Sequence, residues 1–269
     1  VDVVVELLDA RIPAASANPM LREIVGDKPR VVALNKRDLA DENMTRRWLE
    51  HFRAKKIPAV ALDSVSGKGM KELLTLIERE SKYRTERLVS KGVAARKARE
   101  MILGIPNVGK SSLINRLAGA AKAKTADKPG VTRAKQWIRI GTDVDLLDTP
   151  GILWPKFEDP RVGLKLAFTG AVNDEIYDLE SVAHLLLATL RRDHQERLQE
   201  RFKFKEALPE TTEGLMDAIG RKRGCLLKGG RIDFEKVQHI LLAEFRMGKF
   251  GKISLDVPPT EAAEEVDDS

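Results

Sequence analysis

This sequence contains very little cysteine and no long apolar segment. Its single cysteine, Cys225, cannot form an internal disulfide, which predicts a reducing compartment and a cytoplasmic location. No apolar run approaches the ~18 residues that a membrane span requires. The N-terminus also lacks the basic-then-apolar pattern of a signal peptide. We therefore expect a globular protein without a membrane partner.

The charge of the chain is distributed unevenly. The whole sequence of 269 residues, long enough for one or two domains, has a net charge of +6. Residues 155–269 contain 18 Lys+Arg and 22 Asp+Glu, so the part before them has a net charge of +10, with the densest basic stretch at Arg84–Arg99. Two interpretations stay open at this point: a solvated basic surface, or a surface for a phosphate-rich macromolecule such as nucleic acid.

The stretch Gly104–Ser111 has the pattern G-x-x-x-x-G-K-S of a phosphate-binding loop. It follows a short apolar strand at 101–103 and precedes a predicted helix at 112–118, whose N-terminus would face the anion. A glycine turn without a ligand would not require this strand–loop–helix setting. We therefore predict that the following residues bind nucleotide phosphates: Asn107, Val108, Gly109, Lys110, Ser111 and Ser112.

A second motif, Asn35-Lys36-Arg37-Asp38, has the N/T-K-x-D form that reads guanine. The Asp38 carboxylate can accept both the N1–H and the 2-amino N–H of guanine, groups that adenine lacks. Asn35 would brace the loop, and the stem of Lys36 would cover the plane of the base. Ser64 and Val65 follow the next predicted strand, and their backbone N–H groups are predicted to reach the guanine O6.

Metal and γ-phosphate contacts are predicted from two further segments. Asp148-Thr149-Pro150-Gly151 follows a strand, where Asp148 would hold Mg²⁺ through water and the Gly151 N–H would contact the γ-phosphate. Thr132 is the second candidate hydroxyl for Mg²⁺, together with Ser111.

Apolar strands alternate with helices up to residue 154, and the motifs stand at the carboxyl ends of strands. This pattern predicts a doubly wound α/β sheet, with residues 136–140 and 144–147 as an antiparallel pair. Four helices are predicted beyond it, at 179–190, 196–204, 213–223 and 234–247. We predict a GTP-binding domain at 1–154, a smaller helical domain at 155–258 and a disordered acidic tail at 259–269.

The order of the motifs is unusual, because the guanine-reading loops precede the phosphate loop. Ordinary GTPases have the opposite order, so the order indicates a circular permutation. The chain resembles the circularly permuted GTPases of ribosome assembly over nearly its whole length. Besides the motifs above, the resemblance includes Asp9-Ala10-Arg11, the segment at 152–159 (ILWPKFED) and the segment at 220–230 (GRKRGCLLKGG). In this order the Asp148–Gly151 loop runs directly into the helical domain, which we hypothesise is the output element of the switch.

The resemblance implies a Mg²⁺-dependent GTPase that cycles between GTP and GDP in late maturation of the large ribosomal subunit. It would bind rRNA in the GTP state, leave on hydrolysis and act as a monomer. The helical domain at 155–258 is expected to contact RNA or the ribosome. The resemblance also implies that Asn107 helps to bind K⁺. Ile152 stands where ordinary GTPases have a water-orienting glutamine, so we expect slow intrinsic hydrolysis and stimulation by the ribosomal subunit.

No catalytic residue is assigned from the sequence. The resemblance implies a histidine ahead of the first strand, and we expect that segment to be absent because the sequence begins at the strand. The chain has four histidines, and none of them is expected to replace it: His51, His184, His194 and His239.

Two alternatives remain open. One is a guanine-nucleotide-binding module with negligible turnover in this N-terminally truncated form. The other is a P-loop ATPase or small-molecule kinase, which would bind ATP as tightly as GTP.

Overall fold

A computed structural model describes residues 1–20, 25–26, 28–90, 92, 98–118, 136–140, 144–148 and 159–259. The chain divides into two compact units, a first unit of Val1–Phe157 with Ser254–Ser269 and a helical unit of Glu158–Ile253. No helix among the described residues is long and apolar enough to cross a membrane.

The first unit is built on a six-stranded sheet in the order β3-β2-β1-β4-β6-β5. All neighbouring strands are parallel except β5 and β6, which are antiparallel. The parallel α/β sheet and its antiparallel pair were both predicted, and both are confirmed. The strands are β1 Val3–Asp9, β2 Arg30–Asn35, β3 Ala59–Ala61, β4 Ala98–Gly104, β5 Gln136–Ile140 and β6 Val144–Asp148.

Four helices of the first unit lie in the described part of the chain: α1 Pro13–Ser16, α2 Glu42–Ala54, α3 Met70–Val89 and α4 Lys110–Leu117. β1 is buried at every position, which is why its sequence is mostly apolar rather than alternating. Its two buried carboxylates, Glu6 and Asp9, have basic partners in Arg30 and Lys36. Trp48 and Phe52, four residues apart on α2, pack into the core beside β2. Because β1, β2, β3, β4 and β6 are parallel, the motifs that follow β2, β3 and β4 stand at one edge of the sheet, and Asp148, the last residue of β6, lies at the same edge.

The helical unit contains α5 Pro160–Thr169, α6 Leu179–Asp193, α7 Gln195–Phe202, α8 Thr212–Arg223 and α9 Phe234–Arg246. Asp178, Thr211 and Asp233 cap α6, α8 and α9, each accepting a hydrogen bond from the backbone N–H three residues on. The sequence prediction missed α5. Gly163 lowers the helix propensity of this segment, although Pro160 at its first turn marks a helix start.

The boundaries of the two units differ from the predicted domain limits at 154 and 258. Ser254 and the residues after it group with the first unit rather than with the helices. The reason is a set of hydrogen bonds to α1 and its loop, including one from the Leu255 N–H to the Arg11 carbonyl at 2.8 Å. The acidic tail from residue 260 lies outside the described residues.

Glu100, in β4, is a buried carboxyl whose titration should be measurable. It is 2% exposed and accepts a hydrogen bond from the Ser81 hydroxyl at 3.0 Å. Burial raises the pKa of Glu100 to about 7, against the opposing effect of the Ser81 bond, and the nearby carboxylates of Glu78 and Asp2 add to the increase. The folded chain therefore holds a proton here that the unfolded chain releases above pH 4.5.

Stability should consequently fall as the pH rises from 4.5 to about 7. We expect Glu100→Gln, which stays neutral, to be more stable than the parent chain at pH 8 by roughly 2 kcal/mol, and little changed at pH 4.5. Urea unfolding of both proteins at the two pH values measures this difference. An equal effect of the substitution at both values would contradict the assignment.

Candidate functional site

The phosphate loop joins β4 to α4 and is shaped by two residues with positive φ. Asn107 has φ 56° and Gly109 has φ 102°, the latter immediately before α4 begins at Lys110. A Cβ on Gly104 would lie 2.8 Å from the Leu7 carbonyl oxygen, so the close approach of β4 to β1 also requires glycine there. The loop therefore has the backbone that anion binding through N–H groups needs.

Lys110 is folded onto this loop. Its side chain is buried, and its Nζ donates to the carbonyl oxygens of Gly104 at 3.0 Å and Ile105 at 3.1 Å. These bonds hold the ammonium group inside the curve of the loop, at the N-terminus of α4. The phosphate-binding role predicted for Lys110 requires only that the group turn from these carbonyls towards an anion.

Asn35 connects three loops with one side chain. Its Nδ2 donates to the Val108 carbonyl at 2.8 Å and to the Ser64 hydroxyl at 3.1 Å, while its Oδ1 accepts from the Ser64 N–H at 3.0 Å. Asn35 is 1% exposed, so these bonds form away from water. The structure thus brings the 35–38 loop, the 64–66 loop and the phosphate loop together at the edge of the sheet.

A buried carboxylate positions Lys36. Asp9, at the end of β1, lies 3.3 Å from the Lys36 Nζ and accepts hydrogen bonds from Arg11 at 2.9 Å and 2.7 Å. Burial by itself would raise the pKa of Asp9, but the charges of Arg11 and Lys36 outweigh it and keep that pKa well below its usual range. Asp9 is therefore ionised and pairs with the Lys36 ammonium group, and the backbone of Lys36 has the left-handed conformation, with φ 59°.

Asp38 is exposed at the open end of the same loop, where a base could reach its carboxylate. Arg37 fixes the loop from the other side, because its backbone N–H donates to the Leu62 carbonyl and its guanidinium to the Ala61 carbonyl. The base-reading role of Asp38 remains a prediction, but its place on a loop fixed at both ends suits it.

The N–H groups of Ser64 and Val65 already have partners in this structure. That of Ser64 donates to Asn35, and that of Val65 donates to the Asp63 carboxylate at 2.8 Å. The predicted contact with guanine O6 would require one of these bonds to be shared or broken. Arg116 of α4 donates to the Val65 carbonyl and so connects this loop to the helix after the phosphate loop, a contact that no sequence motif indicated.

The predicted metal ligands are described only in part. Ser111 lies in the first turn of α4, and Asp148 is the last residue of β6, paired in register with Ile102 of β4. Thr132, Gly151 and Ile152 lie outside the described residues. Within the described ranges, no group of three or more His, Cys, Asp and Glu side chains could hold a metal by itself.

The sequence of this chain is similar to those of known proteins. A family model described as 50S ribosome-binding GTPase matches residues 99–213. Ribosome biogenesis GTPase A of Bacillus cereus is 48% identical over 268 residues, which cover 100% of this chain and 90% of that protein. Ribosome biogenesis GTPase A of Thermotoga maritima is 31% identical over 258 residues, covering 96% and 87%.

Solved structures agree with these sequence relatives. GDP-bound YlqF superposes with a TM-score of 0.67 at 28% identity, over 96% of this chain and 95% of that chain. GNP-bound YlqF from T. maritima gives a TM-score of 0.64, also at 28% identity, over 96% and 93%. The predicted P-loop GTPase sheet, its circular permutation and the helical C-terminal part are thereby confirmed. The chain belongs to the ribosome biogenesis GTPase A family of circularly permuted GTPases.

Proposed function

We propose that this protein is a Mg²⁺-dependent GTPase that acts in late maturation of the large ribosomal subunit, binds rRNA in its GTP state and leaves on hydrolysis. The observation that carries the nucleotide part is the Asn35 side chain, which joins both predicted guanine loops to the phosphate loop. A nucleotide site must hold its base-binding and phosphate-binding loops at a fixed separation, and this buried amide links all three loops.

The phosphate end of the nucleotide would be held by the loop N–H groups from Asn107 to Ser112 and by Lys110. The N-terminus of α4 adds its partial positive charge to the ammonium group. When an anion enters, Lys110 exchanges two backbone carbonyl partners for phosphate oxygens, a charge-assisted bond that is stronger than either.

Guanine would be selected by Asp38, with Lys36 covering the base. The Asp9 carboxylate holds Lys36 by its ammonium group, so the aliphatic stem keeps a fixed position. Asp38 is exposed two residues after Lys36 on the same loop, available to accept the two N–H groups on one edge of the base.

The donor set fits Mg²⁺, which P-loop GTPases generally use. The Ser111 hydroxyl and the Asp148 carboxylate are hard oxygen ligands. Ser111 lies in α4, which follows β4 through the phosphate loop, and Asp148 ends β6, the strand that pairs with β4. Thr132 is the proposed further ligand, and the Gly151 N–H the proposed contact to the γ-phosphate. A bound Mg²⁺ would neutralise charge that develops on the phosphates.

The ribosomal part of the proposal is supported by family membership and by the name of the matching family model. The net charge of +10 over residues 1–154 suits a partner rich in phosphate. We propose that the helical unit and this basic half contact the large subunit and its rRNA, and that the protein does so as a monomer.

Intrinsic hydrolysis is proposed to be slow. Ile152 cannot orient a water molecule by hydrogen bonding, so no residue of this chain is assigned as catalytic. The same residue favours a second candidate function, a guanine-nucleotide-binding module with negligible turnover. K⁺, bound with the help of Asn107, is proposed as a further cofactor.

The decisive experiment measures GTP hydrolysis in Mg²⁺ and K⁺, with and without purified large ribosomal subunits. We expect strong stimulation by the subunits, and loss of most of that rate when Na⁺ replaces K⁺. Co-sedimentation with a non-hydrolysable GTP analogue, with GDP as its control, tests docking separately. Binding to subunits without hydrolysis would favour the second candidate, and binding of neither nucleotide nor subunit would contradict the proposal.

A further inference from the structure

The segment Ser254–Asp256, by which the chain returns from the helical unit, is hydrogen-bonded into the first unit. Its contacts involve Arg11, Ala15, Asp41 and Trp48, and none of them belongs to a nucleotide motif. Asp256 is 3% exposed, as deeply buried as a core residue although its side chain is polar. We call Ser254–Asp256 the return segment.

On one side, the return segment fixes the loop that carries Asp9. The Leu255 N–H donates to the Arg11 carbonyl at 2.8 Å, and the Asp256 carboxylate accepts from the Ala15 N–H at 2.8 Å. Asp9 and Arg11 form the buried ion pair that holds Lys36. Movement of the return segment would therefore move the anchor of the guanine-reading loop.

On the other side, the return segment contacts the end of that loop directly. The Ser254 hydroxyl accepts from the Asp41 N–H at 3.1 Å, three residues after Asp38. The Asp256 carbonyl accepts from the Trp48 indole N–H at 3.3 Å, which joins the segment to α2, the helix that follows the loop. The return segment is thus hydrogen-bonded on both sides of Asp38: to the loop after Asp9, whose carboxylate holds Lys36, and to Asp41 and Trp48, which follow Asp38.

We propose that the return segment is a positioning element for guanine recognition, so that the affinity and base selectivity of the nucleotide site depend on Ser254 and Asp256. This inference rests on the proposed role of Asp38. The return segment is also one of the two places where the chain passes between the units, since the helical unit comprises Glu158–Ile253 and the first unit resumes at Ser254.

The test compares GDP with IDP, whose base lacks the 2-amino group that Asp38 is proposed to read. In Asp256→Ala, we expect the dissociation constant for GDP to rise about tenfold, equivalent to about 1.4 kcal/mol, and that for IDP to rise no more than about threefold. The preference for GDP over IDP therefore falls. A role in stability alone would weaken both nucleotides equally and leave that preference unchanged.

Three variants complete the design. Asp2→Ala is the matched control: Asp2 is also 3% exposed and accepts a backbone N–H, that of Arg99, at 2.8 Å, but at the opposite edge of the sheet. It should keep the GDP preference. Asp256→Asn, which retains an oxygen for the Ala15 N–H, should stay within about twofold of the parent protein. Ser254→Ala should reduce the preference about threefold, and it decides the question if Asp256→Ala does not fold.

The outcomes separate the inference from the function on which it rests. If Asp38→Asn loses the preference for GDP while Asp256→Ala and Ser254→Ala keep it, the return segment has no positioning role and the inference is wrong. If the parent protein shows no preference, or Asp38→Asn keeps it, the proposed role of Asp38 fails and the inference fails with it.

Discussion

Replacing Asp38 by Asn should convert a guanine site into a xanthine site. GDP affinity should fall by about 10²–10³-fold, because a carboxylate that accepts two N–H groups becomes an amide that can accept only one and sets its own NH₂ against the 2-amino group. Xanthine has a carbonyl at that carbon, so the new amide can donate to it while accepting the N1–H. XDP should then bind more tightly than GDP, as isothermal titration of both nucleotides would measure.

The fold should be unaffected by this substitution, since Asp38 is exposed. Asp41→Asn is the matched control because it removes the same charge three residues away. Asp41 caps α2 by accepting the Met44 N–H at 2.8 Å, and asparagine is an equally good cap. Asp41→Asn should therefore keep GDP affinity within about threefold.

This experiment also decides between GTP and ATP. A P-loop ATPase or small-molecule kinase would bind ATP as tightly as GTP, and Asp38→Asn would change neither affinity. An unchanged GDP affinity, or no gain in XDP binding, would contradict the assignment of residues 35–38 as the guanine-reading loop.

The short motifs of this site, each within a single loop, could be predicted from the sequence. Glycines at fixed spacing before Lys110, and Asn35 with Asp38 after an apolar strand, are patterns set by backbone geometry and base chemistry. Their order along the chain was enough to predict the permutation. The parallel sheet followed from mostly apolar, non-alternating segments such as β1, which is buried at every position.

The features of the site that could not be predicted from the sequence are contacts between residues far apart in the chain. The Asp256 carboxylate and the Ala15 N–H are 241 residues apart in sequence, and nothing around Asp256 distinguishes it from an acidic residue in a solvated tail. The sequence indicates Asp9 and Arg11 only as part of the family resemblance. Their structural role is a buried ion pair in which Asp9 lies 3.3 Å from the Lys36 Nζ, and this contact depends on the register of β1 and β2. Such partners are determined by tertiary packing, which no short pattern encodes.

Gly109 is a position where one added methyl group should strongly reduce nucleotide affinity. A Cβ there would lie 2.3 Å from the Asn35 Nδ2, and the φ of 102° is strained for any residue other than glycine. In Gly109→Ala, either the phosphate loop moves or the Asn35 amide leaves its place, which breaks its bonds to Ser64 and Val108. Strain of roughly 1–3 kcal/mol and lost buried hydrogen bonds of about 1–3 kcal/mol each should reduce GDP affinity at least about 100-fold.

Gly224→Ala is the control for backbone strain without a clash. Gly224 ends α8 with φ 66°, and a Cβ there would meet nothing within 4 Å. We expect this variant to lose about 1 kcal/mol of stability and none of its GDP affinity. The comparison therefore separates the left-handed backbone of Gly109 from its contact with Asn35.

A double-mutant cycle isolates that contact. Asn35→Ala alone should weaken GDP binding strongly, because Ser64 and Val108 lose their shared partner. In the Gly109→Ala background the same substitution should cost much less, since it also removes the group that clashes with the new methyl. Additive losses would mean that Asn35 and Gly109 act independently, and that the three loops are not held together through the Asn35 amide.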